Sequence, residues 1–160
     1  MVGPALTPAV ADAIRRAAER DDVVSAMAAF YEILDAAIAA HEPLCQNRGD
    51  CCRFDEYGHN LFVTPLEAAY FLAKHGPSGT TEATGGCPYQ IDGRCRARAG
   101  RPLGCRVFHC DPNAQTWQSP LTEEHLAKLR ALHERLGVPY AYVEWRTMLQ
   151  ALAEAQRKPG

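Results

Sequence analysis

The sequence predicts a mainly α protein: a single helical domain over residues 1–160, with an irregular cysteine-rich insert at about 45–111. Three observations carry that expectation. Apolar residues recur at helical spacing up to about Ala40 and again beyond Ser119. All seven cysteines, Cys45, Cys51, Cys52, Cys87, Cys95, Cys105 and Cys110, lie between those flanks. From Gly85 to Pro112 large apolar residues are few, while Gly, Pro and Asp-Gly recur, so this stretch has no periodic face of its own. At 160 residues the chain is long enough to bury one core without covalent staples.

The first helix is expected over "TPAVADAIRRAAER", with Thr7 as N-cap and Pro8 at the first helical position, where its missing N–H removes no hydrogen bond. Asp21 or Asp22 is expected to cap the second, whose Val23, Met27, Phe30, Leu34 and Ile38 form the buried stripe. The alanine content of both favours close helix packing. In "TPLEAAYFLAKHG", Thr64 and Glu67 make a capping box, Pro65 opens the helix and Gly76 suits a left-handed C-terminal cap. "GPSGTTEATGG" then reads as a loop leading to Cys87. A fourth helix is expected from Ser119 or Thr122, with Leu126, Leu129, Leu132 and Leu136 on one face and Gly137 and Pro139 ending it. A last helix, from about Tyr142 to Gln156, carries Trp145, Met148, Leu149 and Leu152 inward. No strong strand pattern, repeat or low-complexity segment is present.

Composition narrows the function classes. With 47% hydrophobic and 22% charged residues, a net charge of −2 and a pI near 6.3, nothing global favours nucleic acid or an acidic membrane surface. No apolar run approaches the roughly 20 residues that span a bilayer. The N-terminus acquires Arg and Asp too early for a signal-peptide apolar region, so the chain is expected to be cytoplasmic. In that compartment thiols stay reduced, and clustered cysteines read as metal-binding or catalytic rather than as a disulfide framework. An odd number of cysteines also argues against complete pairing. Buried single cysteines, a structural disulfide and a redox switch at Cys51–Cys52 are the plainer alternatives.

The spacing is C-x5-CC, 34 residues, then C-x7-C-x9-C-x4-C. It matches neither the paired C-x2-C knuckle of a zinc ribbon nor a ferredoxin run, and suits a site assembled from two separated segments. In an extended backbone Cys51 and Cys52 point opposite ways, so one can ligate while the other packs or reaches a second centre. Arg48, Arg53, Arg94, Arg96, Arg98, Arg101 and Arg106 lie among the thiols. Cations there favour thiolate and offset the charge of a multi-thiolate centre, although any single one is more simply a surface charge. Interleaved aromatics are too sparse for a nucleic-acid patch.

"CQNRGDCCRF", "VTPLEAAYFL", "CPYQIDGRC" and above all "RPLGCRVFHC" resemble the YkgJ-type cysteine-cluster family, zinc- or iron-chelating domains, over roughly Cys45 to Asp111. That family often begins C-x2-C-x2-CC; here only C-x5-CC precedes the vicinal pair, one ligand fewer. The cluster also resembles one in bacterial flagellin lysine methylases, associated there with an iron–sulfur centre. The resemblance implies a cofactor more firmly than a reaction, and it sets an iron–sulfur cluster or iron ahead of zinc. By softness alone thiolates suit either.

The metal-binding insert is therefore expected to hold one centre drawn from the seven cysteines, with His109 as an eighth potential ligand or simply a surface or core histidine. His59, beside Asp55, Glu56 and Tyr57, more simply belongs to a solvated loop. His125 and His133 share a helix face two turns apart, too far for a shared ion. Tyr140, Tyr142, Glu144, Trp145 and Arg146 read as packing at a helix start. No P-loop, dinucleotide motif, nucleophile elbow or H-E-x-x-H is present. Three functions follow: a metalloprotein whose iron–sulfur or iron centre serves redox or substrate chemistry, a zinc-stabilised module offering helices to a protein partner, and a carrier of zinc or iron.

Overall fold

The computed structural model describes residues 6–41, 61–75, 90–91, 94–95, 98–107 and 115–157, and within them the protein is mainly helical. Helix α1 spans Pro8–Ala18, and Thr7 caps it as expected, its Oγ1 accepting from the Val10 amide at 3.2 Å. Ala11, Ile14 and Ala17 are its buried face. Helix α2 spans Asp21–Ala39 and buries Val23, Met27, Phe30, Leu34 and Ile38, together with Tyr31. Its cap differs from expectation. Arg20 takes the N-cap position without a side-chain bond to the helix amides, and both aspartates fall inside the first turn. There a negative charge is favoured by the helix dipole without capping, and the Asp22 carboxylate accepts from the Arg20 guanidinium at 2.8 and 3.0 Å.

Helix α3, Pro65–His75, is the hub. Every residue from Pro65 to Phe71 is buried, which a helix permits only when neighbours surround it. It packs on α1 and α2 and on the 3-10 turn Arg98–Gly100. The capping box is formed as the sequence predicts: the Thr64 amide donates to Glu67 Oε2 at 2.7 Å, and the Glu67 amide to Thr64 Oγ1 at 3.5 Å. Gly76 lies outside the described residues.

Two short antiparallel ladders are present that the sequence did not suggest. Strand β1, Phe62–Val63, pairs with β4, Val143–Glu144, and the Trp145 amide extends the ladder to the Leu61 carbonyl at 2.7 Å. Strands β2, Gln90–Ile91, and β3, Arg94–Cys95, pair with Ile91 opposite Arg94, so only Asp-Gly separates them in sequence. Two residues per strand are too few to show an alternating pattern, though Asp-Gly is a strong hairpin signal.

The cysteine region thus contains regular elements, including the five-residue helix α4, Leu103–Val107. Helix α5 spans Gln115–Leu136 and begins a turn before the expected start, with Pro120 inside it. Proline there removes one backbone bond, but the added turn carries Trp117, which packs on the core and stacks on His41 at 4.5 Å. The innermost stripe of α5 also differs. Leu121, His125, Leu129 and His133 are buried, whereas Leu126, Leu132 and Leu136 flank the core.

Gly137 ends α5 with φ of 69°, its amide donating to the Glu134 carbonyl and that of Val138 to His133, the paired bonds of a Schellman cap. Helix α6, Trp145–Arg157, buries Trp145, Met148, Leu149 and Leu152 as expected. Its start is held by Glu144, whose Oε2 accepts from the Thr147 amide at 2.9 Å. Trp145 meets the Phe71 ring edge-on at 4.8 Å, so α6 and α3 share the core that the β1–β4 ladder brackets. Each large side chain buried there contributes about 1.5–3 kcal/mol.

Candidate functional site

The first turn of α3 must satisfy amides that no helical carbonyl reaches. Pro65 has none, Glu67 donates to Thr64, and the Leu66 amide donates 3.2 Å to His133 Nε2 on α5. His133 can accept there because its Nδ1–H donates to the Leu129 carbonyl at 2.9 Å, which leaves the lone pair on Nε2. Burial lowers the His133 pKa and keeps the ring neutral, the form this bond requires.

Glu67 has a second task. Its Oε1 accepts from the Leu103 amide at 2.7 Å, the first residue of α4. One buried carboxyl therefore closes the start of α3 and fastens the start of the helix that carries Cys105. At the other end of α3, His75 Nε2 accepts from the Gly100 amide at 2.9 Å. A Cβ on Gly100 would lie 2.7 Å from His75 Cδ2, so glycine is what lets the segment approach this closely. Residues 98–107 are held on α3 at two points about two turns apart.

Arg106 makes the third attachment, this time to α2. The side chain is 7% exposed and all its nitrogens are engaged: Nη1 with Asp35 Oδ2 at 2.8 Å, Nε with the Arg101 carbonyl at 2.6 Å and Nη2 with the Ala99 carbonyl at 2.9 Å. Its guanidinium lies 3.9 Å over the Tyr31 ring. Arg106 is thus neither a surface charge nor a cation left over for thiolates. Only a planar fork meets acceptors in three directions while stacking on a ring.

The groups around this attachment are few and buried. Desolvation lifts Glu67 to about 7, against the two backbone amides, the Thr64 hydroxyl and the Arg106 charge, which favour the carboxylate. Burial likewise pushes the Tyr31 phenol well up, with the Glu67 charge adding to it. The Tyr31 hydroxyl has no hydrogen-bond partner among the described residues. Cys105 is 8% exposed, belongs to the same core cluster and adds to the shift at Tyr31. Beside α4, a cavity of about 320 Å³ is lined by Gly104, Val107, Gln118, Ser119, Thr122 and Glu123.

Of the predicted ligands, Cys105 lies in α4 and Cys95 closes β3 opposite Gln90. Cys45, Cys51, Cys52, Cys87 and Cys110 lie outside the described residues, as do His59 and His109. Among the described residues no group of three or more His, Cys, Asp and Glu side chains is set to hold a metal ion. His75, Tyr31 and the second bond of Glu67 are what sequence reasoning missed. Their partners are backbone groups or rings far along the chain and leave no local pattern.

Two consequences can be measured. Glu67 titrates near 4.5 when unfolded and about 7 when folded, so the folded state holds a proton that the unfolded chain has already lost. Its contribution to stability is complete below pH 4.5 and is lost as the pH rises through 7. Urea unfolding across that range should show a falling component of roughly 3 kcal/mol in the wild type that Glu67→Gln lacks. Parallel curves for the two proteins would show that burial does not control this carboxyl. For Arg106, loss of the fork should outweigh loss of the half-exposed ion pair. Arg106→Lys is expected to cost roughly 2 kcal/mol and Asp35→Asn less than about 1 kcal/mol in the same assay.

No family model, curated protein or solved structure matches this chain.

Proposed function

We propose that the protein is a metal-binding protein whose cysteine cluster holds an iron–sulfur centre or iron, for redox or substrate chemistry. The reading is supported by the confinement of all seven cysteines to Cys45–Cys110 and by the resemblance to cysteine-cluster domains. The structural observation that carries it is the anchoring of residues 98–107. Directional bonds at Glu67, His75 and Asp35 add to the core packing of Leu103, Cys105 and Val107 in seating the short helix that bears Cys105. Ligands fixed on rigid elements by their surroundings are what a thiolate site needs.

The donor chemistry fits the group. Cysteine thiolates are the ordinary ligands of iron–sulfur clusters, and such a centre when bound supplies one-electron chemistry. The chain's own residues do the positioning: Glu67 and His75 set the height of α4 along α3, and Arg106 sets its rotation against Tyr31.

Anaerobic purification with elemental analysis, visible spectra and EPR tests the proposal. Iron with reducible visible absorption is expected, lost in Cys105→Ser. Cys95→Ser, at the hairpin end, is expected to lose it too. A colourless protein with stoichiometric zinc that takes up no cluster on reconstitution contradicts the iron reading. It would favour a zinc-stabilised module whose helices meet a protein partner.

A further inference from the structure

The cavity of about 320 Å³ between α4 and the first turns of α5 has a one-sided chemistry. Gly104 and Val107, three residues apart on α4, form one wall, and Val107 is rooted in the core cluster. Gln118, Ser119, Thr122 and Glu123 of α5 form the other. Gln118 and Thr122 are four residues apart, as are Ser119 and Glu123, so the four make one continuous patch over two turns. A helix ordinarily turns apolar residues to its neighbours, and Leu121, His125 and Leu129 beside the patch are the buried stripe of α5. The polar patch leaves the space against α4 open instead of filling it.

Three of its side chains are uncommitted. Among the described residues the Ser119 and Thr122 hydroxyls and the Glu123 carboxylate take part in no hydrogen bond or ion pair. The next carboxylate, Glu124, has Lys128 at 3.2 Å one turn on. The positions one turn from Glu123 are Ser119, Pro120, Leu126 and Ala127, so α5 offers it no cation. No Lys, Arg or His lines the cavity among the described residues.

A carboxylate only accepts hydrogen bonds, whereas a hydroxyl both donates and accepts. This set suits a ligand that brings positive charge and donors of its own, and an anion would meet Glu123 without a compensating cation. A metal ion is a poor match, because a hard cation takes about six oxygens and the cavity offers one carboxylate. The space holds about ten waters at liquid density, the small end of ligand cavities. We propose that it binds a small organic ammonium ion bearing hydroxyl groups. The charge lies on the Glu123 carboxylate, the hydroxyls on Ser119 and Thr122, and the carbon skeleton against Val107. The site uses no cysteine, so it stands whether or not the chain holds a metal.

The test titrates the nitrogen-15-labelled full chain with three probes of matched length. Diethanolammonium carries the charge, diethylene glycol has an ether oxygen in its place, and diglycolate has carboxylates in place of the hydroxyls. Diethanolammonium should shift the amides of Gly104, Val107, Ser119, Thr122 and Glu123 saturably, with the millimolar dissociation constant that so small a ligand allows. Diethylene glycol should bind at least about tenfold more weakly, the loss of one charged hydrogen bond, and diglycolate should leave these amides unmoved. Glu123→Gln, at an exposed position, should fold as the wild type does and bind the ammonium ion no better than the glycol. Ser119→Trp, which fills the cavity from its exposed rim, should abolish binding of both. Three probes that bind alike, or none that saturates, overturn the proposal and leave the cavity to water. A preference for the ammonium ion that survives in Glu123→Gln overturns it as well, because the charge is then read elsewhere.

Discussion

The structure depends on one buried carboxylate-bearing residue. Glu67, 1% exposed, receives the Thr64 amide on one oxygen and the Leu103 amide on the other, both at 2.7 Å. Burying such a group is costly unless its oxygens are bonded, and these bonds come from two helix starts at once. The first closes α3 and the second sets where α4 begins. What α4 carries, Cys105 and Arg106 included, is tied to the helical frame at its first residue through that bond, alongside the His75 and Asp35 attachments.

The histidines repeat the same device with a neutral acceptor. His75 and His133 each receive a backbone amide on Nε2, and burial lowers both pKa values so that the lone pair stays in place. Each contributes stability that is present above the unfolded value of 6.5 and is lost as acid protonates the ring, opposite in sign to Glu67. The frame that holds residues 98–107 is thereby weakened from the acid side through two rings and from the neutral side through one carboxyl. Arg106 is insensitive to either, since a guanidinium does not lose its proton in this range.

What the sequence revealed was local in origin. Thr7 as a cap, the Thr64–Glu67 box, Gly137 with its positive φ and the stripes of α2 and α6 each depend on residues within a turn or two of one another. The misread features depend on distant partners. The start of α5 lies a turn early, where Trp117 stacks on His41, and its inner stripe includes two histidines whose Nδ1 atoms bond helix carbonyls, His133 also accepting from the Leu66 amide. For the candidate site, the cysteines themselves were legible from count and confinement. The polar bonds that seat Cys105 were not, because each joins a side chain to a backbone amide or carbonyl, which every residue has.

The central claim is that residues 98–107 belong to the same cooperative unit as α3, held by amide bonds from Gly100 and Leu103. Residue-resolved amide hydrogen exchange measures those two bonds directly. The Gly100 and Leu103 amides should exchange as slowly as that of Ala68 in α3, opening only with the whole fold. If Gly100 and Leu103 exchange freely while Ala68 stays protected, the segment is not fastened to the frame and the account of how Cys105 is positioned fails.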